Sequence, residues 1–259
     1  IWLCGNLRLE AETGKEKLHP VYELRKMQLV KKGCKRKGGV MERWQWLLLA
    51  VPEMAAGTGT YFLLKYRLDS KWKILAKCMV TWMAVCTAAA GVILQNANPF
   101  GSLIFWAMVL FLAADGLLEI RFPAGATVFA LGHGLLIVWY FLQGGLHPMT
   151  AAVFVVLCLA AILLFRRECR KLWGEKKYPY LIGLLFYLAF LMLMVSMAVL
   201  LPASVGAKGF LPAAGAFAFA VSDMMVGKNV LVGLSRRKND FALCLYYAAV
   251  LAISLMTWG

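Results

Sequence analysis

The sequence lacks the motifs that would assign it to a common class of soluble enzyme. Its seven cysteines contain no C-x-x-C pair and lie mostly in or beside apolar runs, which favours core packing over disulfides or metal ligation. Three histidines occur, with no H-E-x-x-H and no pair at helical spacing. There is also no G-x-S-x-G, no P-loop and no G-x-G-x-x-G in a suitable context. A serine triad and a nucleotide site therefore have no support.

Charge is also scarce, and most of it is basic. Charged residues make up 16% of the chain, with 28 Lys and Arg against 13 Asp and Glu. Beyond residue 40 the basic residues form short clusters between apolar runs. This pattern predicts anchors on the cytoplasmic side of a membrane and argues against a nucleic-acid partner.

Apolar residues, in contrast, are abundant. They make up 62% of the chain, against about 45 to 50% in soluble domains, and mean hydropathy is +0.71. About 20 helical residues cross a bilayer core, and eight apolar runs approach this length. We therefore predict an all-α polytopic membrane protein, with a bacterial cell membrane as the expected location. The predicted spans are residues 44–64, 74–94, 99–119, 124–143, 148–166, 180–201, 207–227 and 241–258.

Loop charge predicts the orientation of these helices. The first, fifth and seventh loops are basic, whereas the even-numbered loops are nearly uncharged. Basic loops stay in the cytoplasm, so both ends of the eight-helix domain should face outside. The basic residues in question are Lys65, Arg67, Lys71 and Lys73, then Arg166, Arg167, Arg170, Lys171, Lys176 and Lys177, and finally Lys228, Arg236, Arg237 and Lys238.

Residues 1–40 differ in kind from the eight-helix domain of residues 41–259. They hold 10 Lys and Arg and little apolar periodicity. Our first interpretation is a mis-assigned start, with Met41 as the natural first residue, because Lys37-Gly-Gly-Val is what a ribosome-binding site would encode if translated. A translocated basic arm would also violate the charge rule. The alternative is a cytoplasmic arm that binds anionic lipid.

Two aspartates inside apolar helices are the main candidates for function. Asp115 and Asp223 each follow a small residue and lie four residues after a phenylalanine. A carboxylate at the centre of a span costs roughly 2.5 to 3.5 kcal/mol, so its presence suggests a role. Both are expected about one turn from the cytoplasmic loops, where they could share a pocket as one protonated carboxyl and one carboxylate. The alternative is a helix-to-helix hydrogen bond between protonated carboxyls.

The similarity of these two helices, third and seventh in order, suggests two four-helix halves. The aspartates are 223 − 115 = 108 residues apart. Because each half would contain an even number of spans, the two halves would have the same orientation. Apolar helices also resemble each other by composition alone, which is the alternative explanation.

Five further polar residues lie in or beside the spans. Glu53 follows a proline in the first helix and could line a cavity or accept hydrogen bonds from a neighbouring helix. Lys77 could anchor the helix at the interface or bind a phosphate. His133 lies on a face of small residues and could simply bridge two helices. Glu119 and Lys228 are expected near the cytoplasmic surface.

Four segments resemble the YhhN, or lysoplasmalogenase-like, membrane family over most of residues 44–258. That family has eight predicted spans, and its two functional aspartates would correspond to Asp115 and Asp223. Three departures are Ala114 in place of Gly, Cys78 in place of Pro and Val250 in place of Gln. The matching segments are Ala114-Asp-Gly-Leu-Leu118, Phe122-Pro-Ala-Gly-Ala-Thr-Val-Phe-Ala-Leu-Gly-His133, Val221-Ser-Asp-Met-Met225 and Tyr246-Tyr-Ala-Ala249.

The resemblance implies hydrolysis of the vinyl ether bond of lysoplasmalogens to a fatty aldehyde and a glycerophospho-alcohol. This reaction needs an acid and a carboxylate and no metal or other cofactor. Asp115 and Asp223 would share these roles, and His133 would orient water or a carboxylate. Lys77 or Lys228 would bind the substrate phosphate. Glu53, Tyr246 and Tyr247 complete the expected substrate-binding set.

Two other function classes remain open from the sequence. A transporter of a small solute or lipid could use the same carboxylates as a proton relay. A metal-dependent lipid hydrolase would require His133, Asp115 and Asp223 to converge on one ion.

Overall fold

A computed structural model of the protein describes residues 43–65, 70–95 and 100–258. Over these residues the chain is helical and contains no β-strand, which confirms the all-α prediction. The predictions on residues 1–40 and on Met41 fall outside the described residues. The helices are α1 (Arg43–Leu64), α2 (Ser70–Gln95), α3 (Gly101–Ile120), α4 (Phe122–Leu142), α5 (Thr150–Leu164), α6 (Arg166–Gly174), α7 (Tyr178–Val205), α8 (Phe210–Val232) and α9 (Arg236–Ser254), with 3-10 turns at Gly206–Gly209 and Leu255–Trp258.

The described helices are long and apolar enough for a multi-pass membrane protein. By length and composition, six segments could cross a membrane, or seven if α5 and α6 count as one bent span. One of the six, Tyr178–Val232, contains both α7 and α8, which pack against each other. With these two counted separately the total is seven, or the eight spans predicted from the sequence if α5 and α6 also form one bent span.

The fifth span differs most from its prediction. The apolar run expected at residues 148–166 ends as a helix at Leu164, and the chain then bends by 62° into α6. Phe165 lies at the bend and is fully buried. The bend follows from sequence, because the apolar residues of α5 give way to the basic segment that starts at Arg166.

Proline and glycine explain most of the other boundaries. Pro123 and Pro179 lie in the first turn of α4 and α7, where a missing N–H costs nothing. Gly144 follows α4 with a φ of +84°. The sixth span, predicted at residues 180–201, is longer in the structure, since α7 continues through Pro202 to Val205 and ends at Gly206, which has a φ of +68°.

The outer surface of the bundle is apolar, as a bilayer requires. Large hydrophobic side chains on α5 are exposed, among them Val156 at 63% and Leu163 at 65%. The buried polar side chains, in contrast, include Lys77, Asp115 and His133. Polar groups inside and apolar groups outside reverse the pattern of a soluble protein and match a helix bundle in lipid.

Glycines allow α3 and α4 to pack closely. Only Arg121 separates the two helices, so they form a tight hairpin. A Cβ on Gly125 would lie 2.5 Å from the backbone nitrogen of Leu118, and a Cβ on Gly132 would lie 2.5 Å from the ring of Phe111. The close approach brings α4, and with it His133, toward the centre of the bundle.

Replacing Gly125 with alanine should therefore destabilise the bundle. The new methyl group meets backbone and not a flexible side chain, so α4 must shift, at an expected cost of about 1 to 3 kcal/mol. Unfolding in mixed detergent micelles with increasing dodecyl sulfate would measure it. The matched control is Gly183→Ala on α7, where a Cβ meets nothing within 4 Å and helix propensity favours alanine. Equal effects of the two changes would contradict the close-packing explanation.

Candidate functional site

Asp115 is a buried carboxyl held by three helices. Its Oδ2 accepts a hydrogen bond from the Thr81 hydroxyl of α2 at 2.5 Å and one from the Tyr246 hydroxyl of α9 at 2.8 Å. Its Oδ1 lies 3.5 Å from the Lys77 ammonium, also on α2. Lys77 and Thr81 are four residues apart and so share one helix face. Two hydroxyl donors and one cation together favour a negative charge on Asp115.

Lys77 forms a second ion pair on the same face of α3. Its ammonium lies 3.2 Å from Oε1 of Glu119, one turn after Asp115. The Lys77 side chain is 9% exposed, whereas that of Glu119 is 49% exposed. The sequence predicted Glu119 near the cytoplasmic surface, and the structure makes it a partner of Lys77. The ammonium thus connects a buried carboxyl to an accessible one.

Asp223 has different neighbours. Its Oδ2 accepts a hydrogen bond from the Tyr187 hydroxyl of α7 at 2.5 Å and lies 3.6 Å from Nε2 of His133 on α4. Among the described residues, no Lys or Arg forms an ion pair with it. Its side chain is 9% exposed, against 2% for Asp115. Asp223 is therefore the more accessible of the two carboxyls.

His133 determines where a proton can lie. Its Nδ1 is 2.7 Å from the carbonyl oxygen of Phe129, one turn back on α4. Because a carbonyl oxygen only accepts, Nδ1 must carry a hydrogen, and in the neutral ring Nε2 is then an acceptor. Nε2 is buried and has no hydrogen-bond partner among the described residues. Nε2 therefore faces Asp223 as an acceptor, at 3.6 Å and without a direct hydrogen bond.

An aromatic cluster connects the two carboxyls. The Phe219 ring contacts His133 at a centroid distance of 4.8 Å and Tyr246 at 5.4 Å. It also packs against Phe111 at 4.8 Å. Since His133 faces Asp223 and Tyr246 binds Asp115, the aromatic cluster joins both carboxyls in one buried assembly.

The partners of the two aspartates follow one rule. Asp115, on the third span, is bound by the second span and by the eighth; Asp223, on the seventh, is bound by the sixth and faced by the fourth. If each span of the first half is matched with the span four places later, the second span corresponds to the sixth and the fourth to the eighth. The helices that contact Asp115 then correspond to the helices that contact Asp223. Phe111 and Phe219, each four residues before its aspartate, meet between the halves. This arrangement is the one that a two-fold relation between halves would produce.

Three predicted substrate-binding residues lie apart from the carboxyl network. Glu53 is exposed on α1. Lys228 is half-buried, with its ammonium 5.4 Å from the centre of the Phe165 ring. Tyr247 is buried beside Tyr246, but its hydroxyl has no hydrogen-bond partner among the described residues. Of the predicted set, Lys77 and Tyr246 both contact Asp115, and His133 lies 3.6 Å from Asp223.

The depth of the aspartates was only partly predicted. Asp115 lies five residues before the end of α3, a little more than one turn, as expected. Asp223 lies nine residues before the end of α8, because α8 continues to Val232 and not to residue 227. The Tyr187 hydroxyl is similarly placed, nine residues after the start of α7.

Two hydroxyl donors were not predicted from the sequence. Thr81 is one turn from Lys77 on α2, and this spacing could have identified it. Tyr187 lies in a continuous apolar helix and carries no such signal. Ser222, next to Asp223, has a structural role, since its hydroxyl donates to the carbonyl of Ala242 and so joins α8 to α9.

The metal-dependent alternative requires a ligand group that the described residues do not form. No three His, Cys, Asp or Glu side chains in this part of the chain lie together as an ion would require. His133 approaches Asp223, whereas Asp115 is taken up by Lys77 and two hydroxyls.

Comparison with known proteins identifies the family. The sequence model of the YhhN family matches residues 38–257, which is most of the chain. The protein therefore belongs to the YhhN family, as the resemblance predicted. No curated protein and no solved structure matches it.

The two adjacent tyrosines provide a direct test of the Asp115 network. Tyr246→Phe removes a buried donor to the carboxyl and should destabilise the protein by about 1 to 2 kcal/mol. Tyr247→Phe removes a buried hydroxyl that has no partner, so it should be neutral or stabilising. Unfolding in mixed micelles would compare the two. A larger loss for Tyr247→Phe would show that the network is wrongly assigned.

Proposed function

We propose that this YhhN-family membrane protein hydrolyses the vinyl ether bond of lysoplasmalogens. The observation that supports this function best is the inequality of two carboxyls in one buried assembly. Asp115 is compensated by an ammonium and two hydroxyls, whereas Asp223 accepts one hydroxyl and faces an imidazole nitrogen at 3.6 Å. One carboxylate and one proton donor are what the cleavage of a vinyl ether needs.

Asp223 is the acid in this proposal. It has no ammonium partner among the described residues, so a proton on Asp223 is not opposed by a nearby cation. It is also the more exposed carboxyl. Asp115 is the carboxylate, because Lys77 would oppose its protonation.

The reaction proceeds through a cation. Asp223 donates its proton to the β-carbon of the vinyl ether, which leaves an oxocarbenium ion whose charge Asp115 stabilises. Water adds to the cationic carbon and returns one proton to Asp223, giving a hemiacetal. The hemiacetal then breaks its bond to the glycerol oxygen, and its hydroxyl proton passes to that oxygen. The products are an aldehyde and a glycerophospho-alcohol, so one water is consumed and the enzyme is restored.

His133 acts on the acid. Its Nε2 faces Asp223, and its Nδ1 is held by the Phe129 carbonyl, so the ring cannot rotate without losing that bond. The imidazole can receive the Asp223 proton and return it. It thereby keeps a proton available beside the carboxyl between turnovers.

Conversion of either aspartate to asparagine should abolish turnover. Asp115→Asn and Asp223→Asn retain shape but remove the charge or the transferable proton, so aldehyde release should fall by at least about 100-fold. The assay is aldehyde formation from a lysoplasmalogen by purified protein in detergent. A 1-acyl lysophospholipid and added chelator serve as controls. Release of aldehyde by both variants at the wild-type rate would contradict the mechanism.

Variants at Lys77 provide a second test, because they distinguish the loss of charge compensation at Asp115 from a loss of folding. Lys77→Met leaves Asp115 buried without its cation and should reduce both stability and turnover. The double variant Lys77→Met with Asp115→Asn should recover stability but not turnover. Glu119→Gln, which removes only the half-exposed partner of Lys77, should change turnover by no more than a few-fold. Full activity of Lys77→Met would show that Asp115 does not need the cation.

A further inference from the structure

A second polar site lies at the basic end of the bundle, apart from the two aspartates. It is a cavity of about 280 Å³ between α6, the start of α7 and the end of α8. Its lining includes Glu168 and Lys171 of α6, Tyr180 of α7 and Val230 of α8. The volume is below the range of about 300 to 1,000 Å³ that is typical of drug-sized ligands, so its occupant should be small.

One side chain in this lining lacks a partner. Glu168 is 7% exposed, and its Oε2 is buried without a hydrogen bond among the described residues. A buried carboxylate oxygen that loses water and gains no donor is unfavourable, so such an atom marks a place where a donor is missing. Glu168 also lines the cavity, so a cationic group bound there would balance its charge.

The cavity carries both signs of charge. Lys171 and Lys177 balance Glu168 and Glu175 in its lining. Glu175 is already paired with Lys177 at 2.8 Å. Glu168 is thus the carboxylate that remains for a ligand cation, and Lys171 is the ammonium that no other side chain in this lining binds as an ion pair. A small zwitterion complements this arrangement.

The position of the cavity relates it to the carboxyl site. Tyr180 lies seven residues before Tyr187 on α7, and Val230 lies seven residues after Asp223 on α8. Seven residues are two turns, so each pair shares a helix face. At 1.5 Å per residue the cavity is displaced about 10 Å along these helices from the bond between Tyr187 and Asp223. Both displacements run toward the same basic end.

We propose that this cavity binds the phosphoethanolamine headgroup of the lipid substrate. The inference rests on the proposed function, since it places the reacting bond at Asp223. Nine covalent bonds separate the ether oxygen from the headgroup nitrogen, which is on the order of 10 Å when extended. The ammonium binds Glu168, and Lys171 contacts the phosphate. The vinyl ether then reaches the aspartate.

This assignment distinguishes two common headgroups. An ethanolamine ammonium has N–H groups that can donate to the Glu168 carboxylate, whereas the trimethylammonium of choline has none. The protein should therefore prefer ethanolamine lipids over choline lipids. The preference should depend on Glu168 and not on Glu175, which is paired with Lys177.

The first arm of the test measures binding without turnover. Purified protein in a non-ionic detergent is titrated with glycerophosphoethanolamine or glycerophosphocholine, using calorimetry. The wild type and the Glu175→Gln control should bind the ethanolamine compound about tenfold more tightly than the choline compound. Glu168→Gln should bind the two equally. Equal binding of the two compounds by the wild type would overturn the proposal.

The second arm measures turnover of ethanolamine and choline lysoplasmalogens. The ratio of kcat/KM values should favour ethanolamine about tenfold in the wild type and fall to about one in Glu168→Gln. Repeating the assay in nanodiscs with or without phosphatidylethanolamine shows whether bilayer lipid competes for the same cavity. Inhibition that is lost in Glu168→Gln would identify the bilayer as a second source of the headgroup.

The two arms separate the two proposals. Selective binding that depends on Glu168, without aldehyde formation, would support the headgroup site and reject the ether hydrolase. Aldehyde formation at equal rates from both lipids, unchanged in Glu168→Gln, would support the hydrolase and reject the headgroup site. Thermal unfolding of each variant confirms that a lost preference does not reflect a lost fold.

Discussion

The compensation of one buried negative charge organises this bundle. Asp115 lies among apolar helices, where an unpaired carboxylate would be strongly unfavourable, and its partners come from two other helices. Lys77 and Thr81 bring α2 to α3, and Tyr246 brings α9 to both. In lipid, helices gain little from burying apolar surface against each other, so polar contacts and close packing select which helices meet. The ammonium of Lys77 therefore contributes to helix arrangement as well as to charge.

The two four-helix halves also make equivalent helix contacts. Each aspartate is on the third span of its half, and its partners come from the second span of the same half and the fourth span of the other. The contacts between halves obey the same exchange, since α4 packs on α7 and α9 packs on α2. Phe111 and Phe219 meet where the halves join, both fully buried. Contacts between equivalent positions occur near a two-fold axis, so the aromatic cluster lies where such an axis would pass.

The sequence predicted those features that depend on hydrophobicity and isolated charge. Asp115, Asp223, Lys77 and His133 were identified because a polar residue inside an apolar run is costly, and the helices because their length matches a bilayer. Tyr187 was missed because a tyrosine in an apolar helix most often packs by its ring, and nothing local shows where its hydroxyl points. The end of α7 was missed because Pro202 can be accommodated in the last turn of a helix, where the decisive residue is Gly206. The partners of a charge depend on helix packing, which local patterns do not encode.

The two aspartates differ chemically because the matching helices of the two halves place different side chains beside them. A framework that treated both halves alike would give two equivalent carboxyls, either of which could hold a shared proton. Here an ammonium stands beside one carboxyl and an imidazole beside the other. The ammonium is a permanent cation, whereas the imidazole can accept a proton and return it. Different side chains at the matching spans thus give the two carboxyls different partners. The same helices position both groups, so their relative placement does not depend on flexible loops.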